Sequence, residues 1–175
     1  MIPYDTNLPV VYLRPGQLYV ADKPTVVSTL LGSCVSITMF NRALRWGAIC
    51  HGILPACKKK KRDNCNKECK ELYKYIDCAF RHMVLLSGSC ALNHEETEVK
   101  LFGGAGMLTP HKNRHGIMSV GDQNVRMALR MIKSEGFNIL ASDTGGNSGR
   151  KLFFLTHTGD VYLKRLNKTE EVGLQ

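Results

Sequence analysis

The chain has 175 residues, 43% of them hydrophobic, and a formal net charge of +9. That length suits one domain, spanning 1–175, with a core of its own. The longest apolar runs, such as Met83–Leu86, are far too short to span a bilayer. The first residues lack the basic start and apolar block of a secretory signal, so a cytoplasmic protein is expected. Its seven cysteines, an odd number, then read as reduced thiols rather than a disulfide frame.

In chain order, Val11–Asp22 contains a Pro15-Gly16 turn followed by a short strand over Gln17–Val20. Lys23-Pro24 breaks the chain again, and Thr25–Leu31 is a β-branched run. Ser28–Pro55 is the central stretch. One strand carries Val35, Ile37 and Met39 on one face, and a second carries Leu44, Trp46, Ala48 and Ile49. A turn at Phe40-Asn41-Arg42 makes them a hairpin. Cys34 opens the first strand and His51 ends the second, so antiparallel pairing returns both to the same end of the sheet. A thiol and an imidazole there can serve as nucleophile and base, with a neighbouring imidazolium lowering the thiol pKa. Gly32 lets the backbone bend just before the cysteine, and the N–H groups around Ser33 and Cys34 are candidate oxyanion donors. Read alone, a cysteine on an apolar strand is more often a small core residue than a nucleophile.

Residues 57–70 have the composition of an exposed insertion. Lys58-Lys59-Lys60-Lys61-Arg62 supplies five positive charges and reads as a solvated loop. No aromatic residue interleaves with it, so a nucleic-acid partner is not expected. Cys57, Cys65, Cys69 and Cys78 lack the paired short spacings of zinc ribbons, and no metal or other cofactor is expected. Leu72–Leu86 has helical spacing and stops near Gly88. Val99–Phe102 is a strand ending in Gly103-Gly104-Ala105-Gly106. Without a Walker lysine or dinucleotide spacing, that cluster marks backbone brought close to another element. A second helix fits Gln123–Ser134, with Asp122 as N-cap, Val125, Ala128, Leu129 and Ile132 on one face, and Gly136 at its end. A strand over Asn138–Ala141, a polar loop Asp143–Asn147 and a closing hairpin, Lys151–Leu155 with Val161–Leu166, follow. The tail 167–175 is polar. Cys50 and Cys90 read as buried positions, and His82, His94, His111, His115 and His157 form no ligand spacing.

Taken together, several of these stretches resemble the CheD family, the chemoreceptor glutamine deamidases of bacterial and archaeal chemotaxis. They are P-G-Q-L-Y-V-A-D (Pro15–Asp22), L-G-S-C-V-S (Leu31–Ser36), G-A-I-C-H-G-I-L-P (Gly47–Pro55), Y-I-D-C-A (Tyr75–Ala79), F-G-G-A (Phe102–Ala105), G-D-Q-N-V (Gly121–Val125) and D-T-G-G-N-S-G-R-K (Asp143–Lys151). They follow the family's order over roughly 11–166. The resemblance implies an α+β, three-layer α/β/β fold related to cysteine hydrolases of the deamidating-toxin type. It implies Cys34 as nucleophile, His51 as base, and conversion of receptor glutamine to glutamate through a thioester. The family's third catalytic residue, a threonine, lies six positions before the cysteine. Here that position is Ser28, with Thr29 beside it as the alternative after a one-residue shift. The implied partners are the cytoplasmic helices of methyl-accepting chemoreceptors and a CheC-type phosphatase. The protein would meet the membrane only through its receptors. A non-catalytic or dual-role adaptor that binds the CheC-type phosphatase is the alternative function.

Overall fold

The computed structural model describes residues 7–58, 69–88, 93–106 and 118–166. Its elements in chain order are β1 (Val10–Tyr12), β2 (Leu18–Val20), β3 (Val26–Leu31), β4 (Val35–Asn41), β5 (Trp46–Gly52), α1 (Ile76–Gly88), β6 (Thr97–Gly103), α2 (Val120–Ser134), β7 (Ile139–Thr144), β8 (Arg150–Leu155) and β9 (Val161–Arg165). The strands form a sheet ordered β1-β3-β8-β9 and another ordered β2-β5-β4-β6-β7. Both are mixed, because β1–β3 and β6–β7 pair parallel while their other pairs are antiparallel.

Strand alternation explains the layering. On β4, Val35, Ile37 and Met39 face one way and pack with Ile76, Ala79, Phe80 and Met83 of α1 and Ala128, Met131 and Ile132 of α2. The opposite face of the same sheet meets the four-stranded sheet. There Ile49 packs with Val27 and Phe154, and Phe102 with Leu31 and Leu152. The architecture is therefore helices, sheet, sheet: the expected α+β, three-layer α/β/β arrangement. β4 lies at its centre and is buried along its whole length.

The β4–β5 hairpin has the expected antiparallel register, from Val35 opposite Gly52 to Asn41 opposite Trp46. Its turn comes later than the sequence suggests, at 42–45. Phe40 is buried in the ladder, and the Asn41 side chain accepts the Leu44 amide at 2.9 Å. Leu44, expected on the strand, is consequently 50% exposed in the turn. Helix α1 begins at Ile76 rather than Leu72 because the Lys74 carbonyl is taken by the amides of Ile53 and Leu54. Ser119, not Asp122, caps α2; its hydroxyl accepts the Asp122 amide at 3.1 Å. The buried stripe of α2 runs through Asn124, Ala128, Met131 and Ile132, leaving Leu129 45% exposed.

Most of the basic run, Cys65, Cys90, His111, His115 and the tail from 167 lie outside the described residues. Cys57, Cys69 and Cys78 gather around Leu72, but no group of three or more potential metal ligands occurs among the described residues. No described helix is long and apolar enough to cross a membrane.

Candidate active site

The site lies between the two sheets at one end of the β4–β5 hairpin. Ser36 on β4 pairs with His51 on β5, and Cys34 stands two residues before Ser36. The Cys34 side chain packs against the inter-sheet cluster of Leu31, Phe102 and Leu152. His51 alternates with Cys50, which faces the helices, and so points into the same inter-sheet layer as Cys34.

His51 is only 1% exposed and is held through its backbone and one ring nitrogen. Its amide donates to the Gln17 carbonyl at 2.9 Å, and its carbonyl accepts the Gly16 amide at 2.8 Å. Its Nδ1 lies 2.7 Å from the Thr29 hydroxyl, which itself donates to the Leu13 carbonyl at 2.8 Å. A hydroxyl has one proton, and here that proton goes to Leu13. Thr29 therefore accepts from His51, so the ring proton sits on Nδ1 and the Nε2 lone pair is free. Nε2 is buried and has no partner among the described residues.

The structure thus brings Thr29, not Ser28, to His51. Val27 and Leu31 of β3 lie in the inter-sheet clusters, so Thr29 between them faces that layer. Ser28 is turned by strand alternation to the other face of the sheet. The position counted six residues before the cysteine therefore carries a side chain of the wrong orientation.

Burial governs the protonation of the pair. It lowers the His51 pKa from 6.5 to about 4, opposed by the nearby Leu13 backbone carbonyl. It also raises the Cys34 thiol above its ordinary value, opposed by a hydrogen bond from the residue's own amide. The resting pair at neutral pH is accordingly a neutral thiol beside a neutral imidazole. Burial of both groups works against the imidazolium-activated thiolate expected from the residue types, because neither charge is solvated. Cys50, fully buried, is pushed up to about 12 and is inert.

The turn at Cys34 is fastened from behind. The Gly32 carbonyl accepts the Ala105 amide at 2.9 Å, and the Cys34 carbonyl accepts the Gly104 amide at 2.8 Å. The Ser33 carbonyl accepts from Asn124 Nδ2 at 2.9 Å. The glycine cluster makes this approach feasible. Gly103 has φ +108°, and a Cβ there would collide with the Cys34 carbonyl. The loop after β7 joins the same group: Gly145 donates to the Gly103 carbonyl at 3.0 Å, and Gly106 donates to that of Gly146 at 2.9 Å. Arg150, 2% exposed, holds that loop through Asp143 Oδ1 at 2.6 Å and the carbonyls of Gly145 and Ser148 at 2.6 and 3.2 Å. Arg165 takes the other Asp143 oxygen at 2.7 Å. Burial alone would raise the Asp143 carboxyl, but the two guanidinium groups hold it below its ordinary value. Sequence reasoning missed Asn124 and Arg150 as parts of this site. The signal for Asn124 was an asparagine falling in step with Ala128 on the buried stripe of a helix.

Residues 53–165 match the family model described as CheD chemotactic sensory transduction. A probable chemoreceptor glutamine deamidase CheD 2 of Geobacter sulfurreducens is 46% identical over 94% of this chain and 94% of its own length. The chain belongs to the CheD family. Among other CheD relatives, the probable chemoreceptor glutamine deamidase of Maridesulfovibrio salexigens is 41% identical over 90% of this chain and 92% of its own. That of the archaeon Thermococcus kodakarensis is 34% identical over 87% and 90%. The crystal structure of Neisseria meningitidis protein NMB0706 covers 80% of this chain and 63% of its own with a TM-score of 0.41 and 13% identity, too slight a likeness to bear on the site.

Proposed function

We propose that this CheD protein is a protein-glutamine deamidase that converts side-chain carboxamides on chemoreceptor cytoplasmic helices to carboxylates. The observation that carries the chemistry is the His51 ring, pinned through Nδ1 to Thr29 with Nε2 unpartnered among the described residues, in the layer that also holds Cys34.

In the first half-reaction, Cys34 Sγ attacks the glutamine amide carbon as its proton passes to His51 Nε2. The tetrahedral oxyanion is held by the backbone amides of Ser33 and Cys34, with Gly32 leaving room for the approach. His51 returns the proton to the departing nitrogen, ammonia leaves, and a thioester remains. Water then attacks the thioester with His51 as base, and collapse restores the thiol and releases glutamate. Thr29 touches neither substrate nor sulfur; it is a positioning residue for His51. No step calls for a metal or organic cofactor. A CheC-type phosphatase as second partner rests on the family resemblance. A Cys34→Ala protein that still binds the phosphatase would separate that role from catalysis. The substrate places the enzyme in the cytoplasm, at the membrane only through its receptors.

The test is peptide mass spectrometry of a receptor cytoplasmic fragment incubated with wild-type protein or with Cys34→Ala. Wild type should add about one mass unit per deamidated glutamine, and Cys34→Ala should add none. An active Cys34→Ala enzyme, or an inert wild type on a cognate receptor, would overturn the proposal.

A further inference from the structure

Asn124 is fully buried at the start of α2, yet its side chain serves two elements outside its own helix. Nδ2 donates to the Ser33 carbonyl at 2.9 Å and to the Ile53 carbonyl at 2.8 Å. One of these carbonyls directly precedes Cys34, and the other lies two residues beyond His51. Its Oδ1 is buried and has no partner among the described residues. Buried polar atoms are nearly always paired, so an amide that forgoes one pairing is placed there for its donors.

The position of α2 relative to the turn is fixed by close contact. A Cβ on Gly121 would lie 2.5 Å from the Gly104 carbonyl oxygen and 2.6 Å from that of Ala105. The same Gly104 and Ala105 donate their amides to Cys34 and Gly32. All three carbonyls from Gly32 to Cys34 are therefore drawn toward the Gly104–Ala105 segment and Asn124. In a trans peptide the C=O and N–H point in opposite directions. With the Ser33 carbonyl held on Asn124, the Cys34 amide must point away from α2. That is the side of the inter-sheet cluster against which the Cys34 side chain packs.

We infer that Asn124 is the positioning residue for the oxyanion hole: by holding the Ser33 carbonyl it aims the Cys34 N–H at the place where the oxyanion develops, and by holding Ile53 in the same amide it ties that donor to the His51 strand. The inference deepens the deamidase reading and rests on it for the natural substrate, while the backbone geometry is independent of which acyl group reacts.

The experiment compares two reactions of Cys34 in wild type and Asn124→Asp. Asn124→Asp is nearly isosteric but replaces both donors with a carboxylate that repels the two carbonyls. Acylation by p-nitrophenyl acetate passes through an oxyanion: Sγ bonds the acetyl carbon, p-nitrophenolate leaves, and the thiol proton goes to His51. Alkylation by iodoacetamide displaces iodide at carbon and makes no oxyanion. Peptide mass spectrometry follows Cys34 in both.

Asn124→Asp should acylate about 10²-fold more slowly, while its alkylation stays within about threefold of wild type. On a receptor fragment it should lose kcat and keep KM. Acylation within threefold of wild type, or acylation and alkylation falling in parallel, would overturn the inference. If Asn124→Asp does not fold, Asn124→Ser, which keeps one hydroxyl donor, carries the same comparison with a smaller expected loss. A wild type that acylates normally but leaves receptor glutamines untouched would refute the deamidase reading and leave this inference to stand on the acylation result.

Discussion

Replacing Thr29 by valine removes one hydroxyl with little change of shape, and the structure states what that hydroxyl does. It makes two buried hydrogen bonds, 2.8 Å to the Leu13 carbonyl and 2.7 Å to His51 Nδ1. Losing such a bond and leaving its buried partner unsatisfied costs about 1–3 kcal/mol. With two partners abandoned, Thr29→Val should lose about 2–6 kcal/mol in urea unfolding. The kinetic effect has a separate origin. Without an acceptor at Nδ1 the ring proton is free to move to Nε2, and that tautomer cannot take a proton from Cys34. General-base help is worth about 10²–10⁴-fold, so kcat on a receptor fragment should fall by at least about 10²-fold. Thr29→Ser, which keeps the hydroxyl, should recover much of both losses. Ser28→Ala should keep nearly full activity, because Ser28 faces away from the inter-sheet layer. The assay is deamidation followed by mass spectrometry beside urea denaturation of the four proteins. Full activity in Thr29→Val, or an equal loss in Ser28→Ala, would refute the assignment.

The neutral Cys34–His51 pair predicts that Cys34 alkylation by iodoacetamide rises with pH with no plateau near neutrality, the thiol titrating above its ordinary value; a thiolate titrating below pH 7 would show an ion pair instead. His51 is buried uncharged with its pKa lowered from 6.5 to about 4, so the unfolded chain binds more protons between those values and stability falls as pH falls through that window. The shift corresponds to about 3 kcal/mol lost by pH 4. His51→Gln should lack that component of the acid slope in urea midpoints, and an unchanged slope would argue against it. Arg150→Met leaves the Asp143 carboxylate with only the exposed Arg165 and strands the Gly145 and Ser148 carbonyls. It should cost about 3–5 kcal/mol in unfolding. Hydrogen exchange at the Gly145 amide should rise with it, and unaltered protection there would show that the loop does not depend on the guanidinium.

The β4–β5 hairpin shows how much can be read without coordinates. Its alternation and turn are local, and a hairpin's register follows from its turn. Once antiparallel pairing was recognised, Cys34 and His51 had to return to the same end of the sheet. The Gly103–Gly106 cluster was likewise legible as close-approaching backbone, because only glycines leave room for a carbonyl where a Cβ would stand. The helix start at Ile76 was not legible, since it depends on which carbonyls the departing β5 strand occupies.

Thr29 marks the boundary between the two kinds of information. Counting from the cysteine selects Ser28, and nothing in the local sequence contradicts that choice. The decision is made by β3 joining the other sheet and presenting alternate residues across the layer, where a one-residue shift reverses every side chain. Protonation was beyond the sequence for the same reason. Residue types suggested an ion pair, but only the packing of two sheets over His51 excludes the water that a charged pair would need. The sequence by itself determined which atoms could react, through residue identity and local pairing. Tertiary structure decided which hydroxyl meets His51 and how deeply the two groups are buried, because both depend on what lies across the inter-sheet layer.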